Sequence, residues 1–435
     1  MVKEIHRRDI LEARNKLGEV FYGYWILLGA FVLHALDSGM YFYGFSVFYT
    51  PIREEFGWSS TVVSGAVSFS RLEGGLEGPV VGYMIEKYGA RKLLALGALL
   101  TGLGFVAMLR VESVLMLYLI YGGLLSVGYN MGFSHSLATI INQWFIRKRS
   151  RAMSIYAVAA GLGGAALVPL LAKSIALNGW RLTAVYCGVT FWVAGLSMAL
   201  IFRNRPEDLG LLPDGDTRVS FGSSQGRAHI DEPDITLRQA LSASTFRWLL
   251  LGECLRSFLL GSIVLHQIPH LVSIGIDHEA AASILGLMIL ISIPGRLVFG
   301  TLGDYVSKRL LLTAVMMIQA LGVLIFAYAS SVVHVYASIV IYGLAYGGAI
   351  PLLMAFRGEL FGRKRFASIS GIMAPFKMIG NVGGPIFAGY VFDVTGSYRL
   401  AFLSFVVLAV LSAASFLMIR DDTLNMPHYT KSRYL

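Results

Sequence analysis

The chain has 435 residues, 56% of them hydrophobic and only 14% charged, with a formal net charge of +10. A soluble domain carries about 25% charged residues, so the composition excludes a soluble enzyme. It is not that of a nucleic-acid binder either, because the cations cluster in alternate loops between apolar runs.

Each apolar run reaches the roughly 20 residues needed to cross a hydrocarbon core of about 30 Å. The runs predict twelve helices, over 22–49, 59–85, 91–110, 113–143, 150–174, 180–202, 244–273, 278–303, 309–330, 333–361, 366–392 and 397–420. The segment ahead of the first run is charged and lacks the apolar core of a signal peptide. A polar stretch over 203–243, rich in Gly, Ser, Asp and Arg, separates six spans in 1–202 from six in 244–435. Cys187 and Cys254 both fall inside spans, so neither a disulfide framework nor a metal site is expected.

Of the 36 Lys and Arg residues, 26 lie on one side of this arrangement, in the two ends, the polar stretch with the start of helix 7, and the loops after helices 2, 4, 8 and 10. The positive-inside rule then puts both termini and the polar stretch in the cytoplasm, with the spans in the cell's plasma membrane. Two patterns recur across the centre. Gly82-Tyr83-Met84-Ile85-Glu86, with Arg91-Lys92 after it, returns 218 residues later as Gly300-Thr301-Leu302-Gly303-Asp304, with Lys308-Arg309. Phe145-Ile146-Arg147-Lys148-Arg149 returns 216 residues later as Phe361-Gly362-Arg363-Lys364-Arg365. Repeats about a central linker are typical of secondary transporters, whose substrate site lies at the repeat interface near the midplane.

The doubled Gly-x-x-x-Asp/Glu pattern resembles the loop motif of the major facilitator superfamily, over the whole chain. Within it, Phe56-Gly57-Trp58-Ser59, Trp144-Phe145 and Arg205-Pro206-Glu207-Asp208-Leu209-Gly210 resemble the monocarboxylate transporter and oxalate/formate antiporter branch. Arg296-x-x-x-Gly300-x-x-x-Asp304 matches that branch's substrate arginine, and Lys377 the second substrate cation of the oxalate/formate type. The resemblance implies an all-α integral membrane protein of twelve transmembrane helices in two pseudo-symmetric halves. It implies a carrier of small organic anions working by alternating access, with a proton or counter-anion as the coupled species. A monomer without cofactor or metal is expected, with no enzymatic activity. The chain departs from animal carriers at Tyr43, where they have lysine, and at Ser292, where they place a proton-handling aspartate. Proton coupling of the animal type is therefore not expected.

Ten ionisable residues fall inside the predicted spans: Arg71, Arg256, Arg296, Arg357 and Lys377 against Asp37, Glu73, Glu77, Glu253 and Glu359. Counting depth at about 1.5 Å per residue brings Asp37 level with Arg71, as an ion pair or a proton site at Asp37. Glu253 and Arg256, three apart, suit an intrahelical pair. Arg357 and Glu359 lie near the inner end of helix 10, within reach of the interface. Lys377 is level with Glu73, and Glu77 is one turn on. Lys377 then either pairs with Glu73 or binds substrate, with Glu73 releasing it on protonation.

Arg296 is the sharper case. Helix 8 faces helix 5 in this fold, and helix 5 has no acidic residue between Ala152 and Ala172. An ionised group at membrane depth costs roughly 2.5–3.5 kcal/mol, and guanidinium cannot shed its proton. Its planar fork suits bidentate capture of a substrate carboxylate; backbone carbonyls or Asp304 are the alternative. Charge counting favours a monocarboxylate if Lys377 is neutralised and a dicarboxylate if it is free, while a multidrug exporter would need an accessible acid. Tyr43, on an aromatic helix 1, is a cavity wall or plain packing. Asn381 is a ligand or an interhelical hydrogen bond. His266, near His270 and Gln267, is a gate, a proton relay or a polar cap. Gly161, Gly163, Gly164, Gly380, Gly383 and Gly384 suggest close-packed faces. Gly82, Glu86, Arg91, Gly300, Asp304 and Arg309 form the expected conformational gate, holding the outward-open state closed on the cytoplasmic side.

Overall fold

The computed structural model describes residues 20–215 and 236–419. The charged N-terminal segment, the middle of the 203–243 stretch and the C-terminal tail lie outside the described residues. Those described form helices and no strands: α1 Tyr22–Phe56, α2 Ser60–Tyr88, α3 Ala90–Arg110, α4 Val114–Trp144, α7 Ser244–Ser273, α8 His278–Leu302, α9 Lys308–Ala327 and α12 Arg399–Leu417. The continuous stretch Arg149–Ile201 breaks at Gly179 (φ 78°), giving α5 (149–178) and α6 (180–201). Val332–Thr395 breaks in the same way at Gly362 (φ 70°), giving α10 (332–361) and α11 (363–395). Only glycine adopts such a backbone without strain, so each Gly turns the chain between consecutive spans. The twelve predicted helices are thus the observed ones. Serines set several starts: Ser59 accepts from the Val62 N–H, Ser113 from Met116 and Ser331 from His334.

The helices are apolar on nearly every side, and Leu76, Leu119, Leu170, Val193, Ile386 and Val407 stand exposed on the outer surface. That is the surface of a bundle solvated by hydrocarbon, where backbone polar groups must be satisfied inside each helix. The buried side chains form two cores. One runs from Ile26 to Phe202 and borrows Ala355, Phe366 and Ala367; the other runs from Ala240 to Ile419.

The start of α1 and the end of α6 share one face of the bundle, since the Tyr22 hydroxyl donates to the Ile201 carbonyl (2.9 Å). Arg309, at the start of α9, donates to the Ile419 carbonyl after α12 (2.9 Å), so the last span ends on that face too. We call it the terminal face.

The two halves meet where α2 packs on α11 and α5 on α8. A methyl on Gly78 would stand 2.7 Å from the Gly371 carbonyl, and one on Gly371 would stand 2.1 Å from the Gly78 carbonyl. Gly82 meets the Ala367 carbonyl and Ser368 Cα on the same seam. Without a Cβ the backbones approach to direct contact, which is how helices associate where no hydrophobic drive exists.

Candidate functional site

The repeated motif builds two matching clasps on the terminal face. Gly82 lets α2 lie against α11, and one turn on Glu86 accepts from Arg365 Nη1 (2.9 Å) and the Ser368 N–H (3.2 Å). Gly300 lets α8 lie against Ser154 of α5, and Asp304 accepts from the Ser150 N–H (3.0 Å) and pairs with Arg151 Nε (3.4 Å). A carboxylate near the N-terminal end of a helix also meets the positive end of its dipole. Burial raises the Asp304 carboxyl above the usual range, opposed by the Ser150 N–H and by Lys308 and Arg151. Between the clasps, Gln143 and Arg363 exchange side-chain-to-carbonyl bonds (both 2.9 Å), and Arg363 pairs with Glu207 (2.8 Å).

Two expected gate members do something else. Arg91 donates to the Ala199 carbonyl (2.6 Å) at the end of α6, and Arg309 to Ile419 after α12. Each binds the C-terminal carbonyls of a helix in its own half, where a cation is favoured. They fasten each half internally and do not cross the seam.

Farther into the bundle, six residues short of the end of α8, Arg296 is 3% exposed. Its Nη1 donates across the seam to the Ala157 carbonyl of α5, and its Nε has no partner. Among the described residues, no carboxylate lies within ion-pair distance of it, Asp304 included. Gly161 clears the space beside it: a methyl there would lie 3.8 Å from Nη1. One turn on, Gly164 lies against the Tyr43 ring, and Tyr43 interacts electrostatically with Arg296 and with Tyr346 of α10. Tyr43 thus lies against α5 within electrostatic range of both Arg296 and Tyr346.

The remaining buried charges pair differently from the sequence-based expectation. Among the described residues, Glu253 bonds neither Arg256 on its own helix nor a group of the other half. It faces Arg357 (Nε–Oε1, 3.0 Å) and Lys377 (Nζ–Oε2, 3.8 Å). Lys377 therefore does not pair with Glu73. Arg357 is buried, donates to Ser370 (3.1 Å) and does not snorkel to the interface; Glu359 pairs with Lys308. Asp37 does not pair with Arg71, which is exposed on α2. It is held on its own helix by His34 Nδ1 (3.1 Å) and the Ser38 hydroxyl (2.9 Å).

Glu73 and Glu77, one turn apart on α2, interact with each other and with Asn130, and among the described residues no cation is in ion-pair range of them. His266 Nε2 lies 2.9 Å from the Pro385 carbonyl and Nδ1 3.4 Å from the Tyr398 hydroxyl, so the ring ties α7 to α11. Asn381 has an exposed side chain, and its backbone rests against Gly261 of α7.

The Major Facilitator Superfamily model matches residues 27–382 and, in a second match, 268–431. The chain belongs to the major facilitator superfamily. As a member it is a membrane transporter and not an enzyme. It is 26% identical over 413 residues to monocarboxylate transporter 13 of Bos taurus, covering 94% of this chain and 90% of that one. It is 24% identical over 428 residues to monocarboxylate transporter 2 of Homo sapiens, covering 94% and 87%. It is 24% identical to the uncharacterized MFS-type transporter YcxA of Bacillus subtilis, covering 90% and 93%. Among solved structures, the fold is similar to the human organic anion transporter MFSD10, with a TM-score of 0.71 at 14% identity, covering 91% of this chain and all of that one. The proton:xylose symporter XylE is similar at a TM-score of 0.69 and 13% identity, covering 93% and 97%.

Sequence reasoning on this superfamily member missed three things. The shared role of Glu253 could not be read from spacing, because i, i+3 placement with Arg256 does not fix where a carboxylate turns. Tyr346 carried no signal beyond its aromatic ring. Asp214, which accepts from the N–H groups of Ile146, Arg147 and Lys148 (3.0, 2.8 and 3.1 Å), lies in the polar stretch after α6 and could not be assigned to the α4–α5 turn.

Proposed function

We propose that the protein is a secondary active transporter of small organic anions, a monocarboxylate such as lactate, pyruvate or formate, with Arg296 binding the carboxylate. One observation carries this reading: a buried guanidinium on the seam between the halves has a backbone carbonyl as its partner and no carboxylate. A neutral carbonyl does not cancel a permanent charge, and removal from water makes that charge expensive. An arriving carboxylate supplies the countercharge to the free Nε and the remaining N–H donors, bidentately. The names of the curated relatives support the same class of substrate.

The mechanism that follows is alternating access between 1–202 and 244–435, joined by 203–243. The Glu86 and Asp304 clasps hold the terminal face shut, which the excess of Lys and Arg there makes the cytoplasmic face. Substrate enters from the opposite side, past Tyr43, to Arg296. Neutralising Arg296 lowers the cost of enclosing it and weakens its hold on Ala157, so the clasps can part. An empty carrier keeps its bare charge at the seam, which favours exchange or ion-coupled return.

For coupling, Glu73 with Glu77 is the foremost proton site, since the two share a small polar patch without a cation among the described residues; Asp37 and His266 are each already engaged. A dicarboxylate reading, with Lys377 and Asn381 as further ligands, is favoured by one observation. Glu253 is divided between Arg357 and Lys377 and cannot neutralise both. A monomer is expected for the working unit.

Counterflow in proteoliposomes tests the proposal. Labelled lactate should accumulate against unlabelled lactate or formate, and Arg296→Gln should abolish this while the protein remains in the membrane. Exchange of oxalate in preference would select the dicarboxylate reading. Transport of cationic dyes without any carboxylate exchange would reject both. Glu73→Gln should flatten the pH dependence of exchange.

A further inference from the structure

We infer that the C-terminal half carries a second anion-binding locus, built around Arg256 of α7 and Tyr342 of α10, distinct from the carboxylate site at Arg296. Arg256 is 7% exposed, and its Nε and Nη2 have no hydrogen-bond partner. Glu253, three residues earlier, is turned away to Arg357 and Lys377. Among the described residues, no other carboxylate stands in ion-pair range of Arg256. Its electrostatic neighbours are Tyr342 and Tyr346, with Glu253 and Arg357. Tyr342 is 2% exposed and its hydroxyl is also unpartnered. That ring lines a small cavity together with Gln267, whose fully buried amide has neither its oxygen nor its nitrogen satisfied.

The buried, unpartnered N–H groups of Arg256 and the hydroxyl of Tyr342 are donors that an anion can accept from, whereas Gln267, eleven residues farther along α7, lies about 16 Å from Arg256 and is not one of them. A buried donor left unmade is costly, and a buried guanidinium more so. The wider group of Arg256, Arg357 and Lys377 holds three cations against the single carboxylate of Glu253. A second anionic group therefore has charge waiting for it. Tyr346 is within electrostatic range of both Arg256 and Tyr43.

The ligand is a compact anionic group. It is either the second carboxylate of a substrate whose first carboxylate is on Arg296, or a separate small anion such as chloride. The inference rests on the anion-transport reading, and the experiment separates the two. Affinities of the purified full-length protein for propionate and succinate are measured with and without chloride, at ionic strength fixed with a bulky sulfonate. Wild type should either bind succinate more tightly than propionate or bind propionate more tightly when chloride is present. The first result assigns the locus to the substrate's second carboxylate and the second to a separate anion.

Arg256→Gln should reduce that ratio about tenfold, the factor expected for one charge-assisted hydrogen bond, whereas Arg256→Lys should keep part of it. If Arg256→Gln does not fold, Tyr342→Phe takes its place, and the extra thermal stabilisation by chloride or succinate over propionate should shrink relative to wild type. A wild type indifferent to both, or a ratio unmoved in Arg256→Gln, overturns the second locus. Loss of all carboxylate binding in Arg296→Gln, or its persistence there, bears on the first site alone.

Discussion

Neutralising the two clasp carboxylates should open the terminal face by a predictable amount. Glu86→Gln and Asp304→Asn keep an acceptor of the same shape and remove the charge. Each native carboxylate accepts one main-chain N–H and meets one arginine: Ser368 and Arg365 for Glu86, Ser150 and Arg151 for Asp304. Hydrogen bonds to charged groups contribute about 1.5–3 kcal/mol, and neutral ones about 1. The two arginine side chains are 36% and 39% exposed, so their ion pairs add at most about 1 kcal/mol. Each substitution should then shift the closed-to-open equilibrium by about 1–2 kcal/mol. The clasps sit on separate helix pairs, so the double variant should shift it by roughly 2–4 kcal/mol. The reporter is Ser154→Cys, at a buried hydroxyl against Gly300, with Cys187 and Cys254 replaced by serine. Labelling by a membrane-impermeant maleimide from the terminal face should accelerate about 5- to 30-fold per substitution, and by roughly the product in the double variant. An unchanged rate in the double variant would show that these carboxylates do not hold the face shut.

The glycines of the same motif should separate by what they touch. Gly82→Ala drives a methyl into the Ala367 carbonyl and Ser368 Cα, at 2.5 and 2.9 Å, and should destabilise the closed seam by about 1–3 kcal/mol with no side-chain trim able to relieve it. Gly300→Ala meets the Ser154 side chain first, so Ser154→Gly should restore its stability and leave Gly82→Ala unrelieved, read by thermal unfolding; equal rescue of both would contradict this. Glu253→Gln strands Arg357 and Lys377 together and should lower stability by about 3–5 kcal/mol, read by thermal unfolding. Adding Lys377→Met should recover part of that loss, and no recovery would mean that Lys377 is not part of the network.

Helix number and the seam were legible because their signals are one-dimensional. Apolar length, Gly-x-x-x-carboxylate spacing and the 216- and 218-residue repeats survive without knowledge of rotation. Arg296 was legible for a related reason: a helix with no acid on any face cannot offer one, whatever its rotation. The pairs assigned by depth alone failed for want of that rotation. Asp37 and Arg71 share a level, yet His34 one turn away reaches Asp37 first. Lys377 and Glu73 share a level, yet Glu253 on α7 is the carboxylate turned to Lys377. Arg91 and Arg309 occupy the motif's basic positions, but helix-end carbonyls of their own halves lie nearer than the seam. The sequence reading named backbone carbonyls as the alternative partner of Arg296, and one of them, Ala157, is indeed bound, while the charge itself stays unmatched.

Thermal unfolding of Arg296→Gln, with and without lactate, tests the central claim most directly. The substitution removes a buried cation worth roughly 2.5–3.5 kcal/mol of cost and one charge-assisted hydrogen bond of about 1.5–3 kcal/mol to the Ala157 carbonyl. The empty variant should therefore unfold no earlier than wild type, and the lactate-dependent rise seen in wild type should vanish. A variant destabilised by about 3–5 kcal/mol, as for a broken buried ion pair, and still stabilised by lactate would contradict the account.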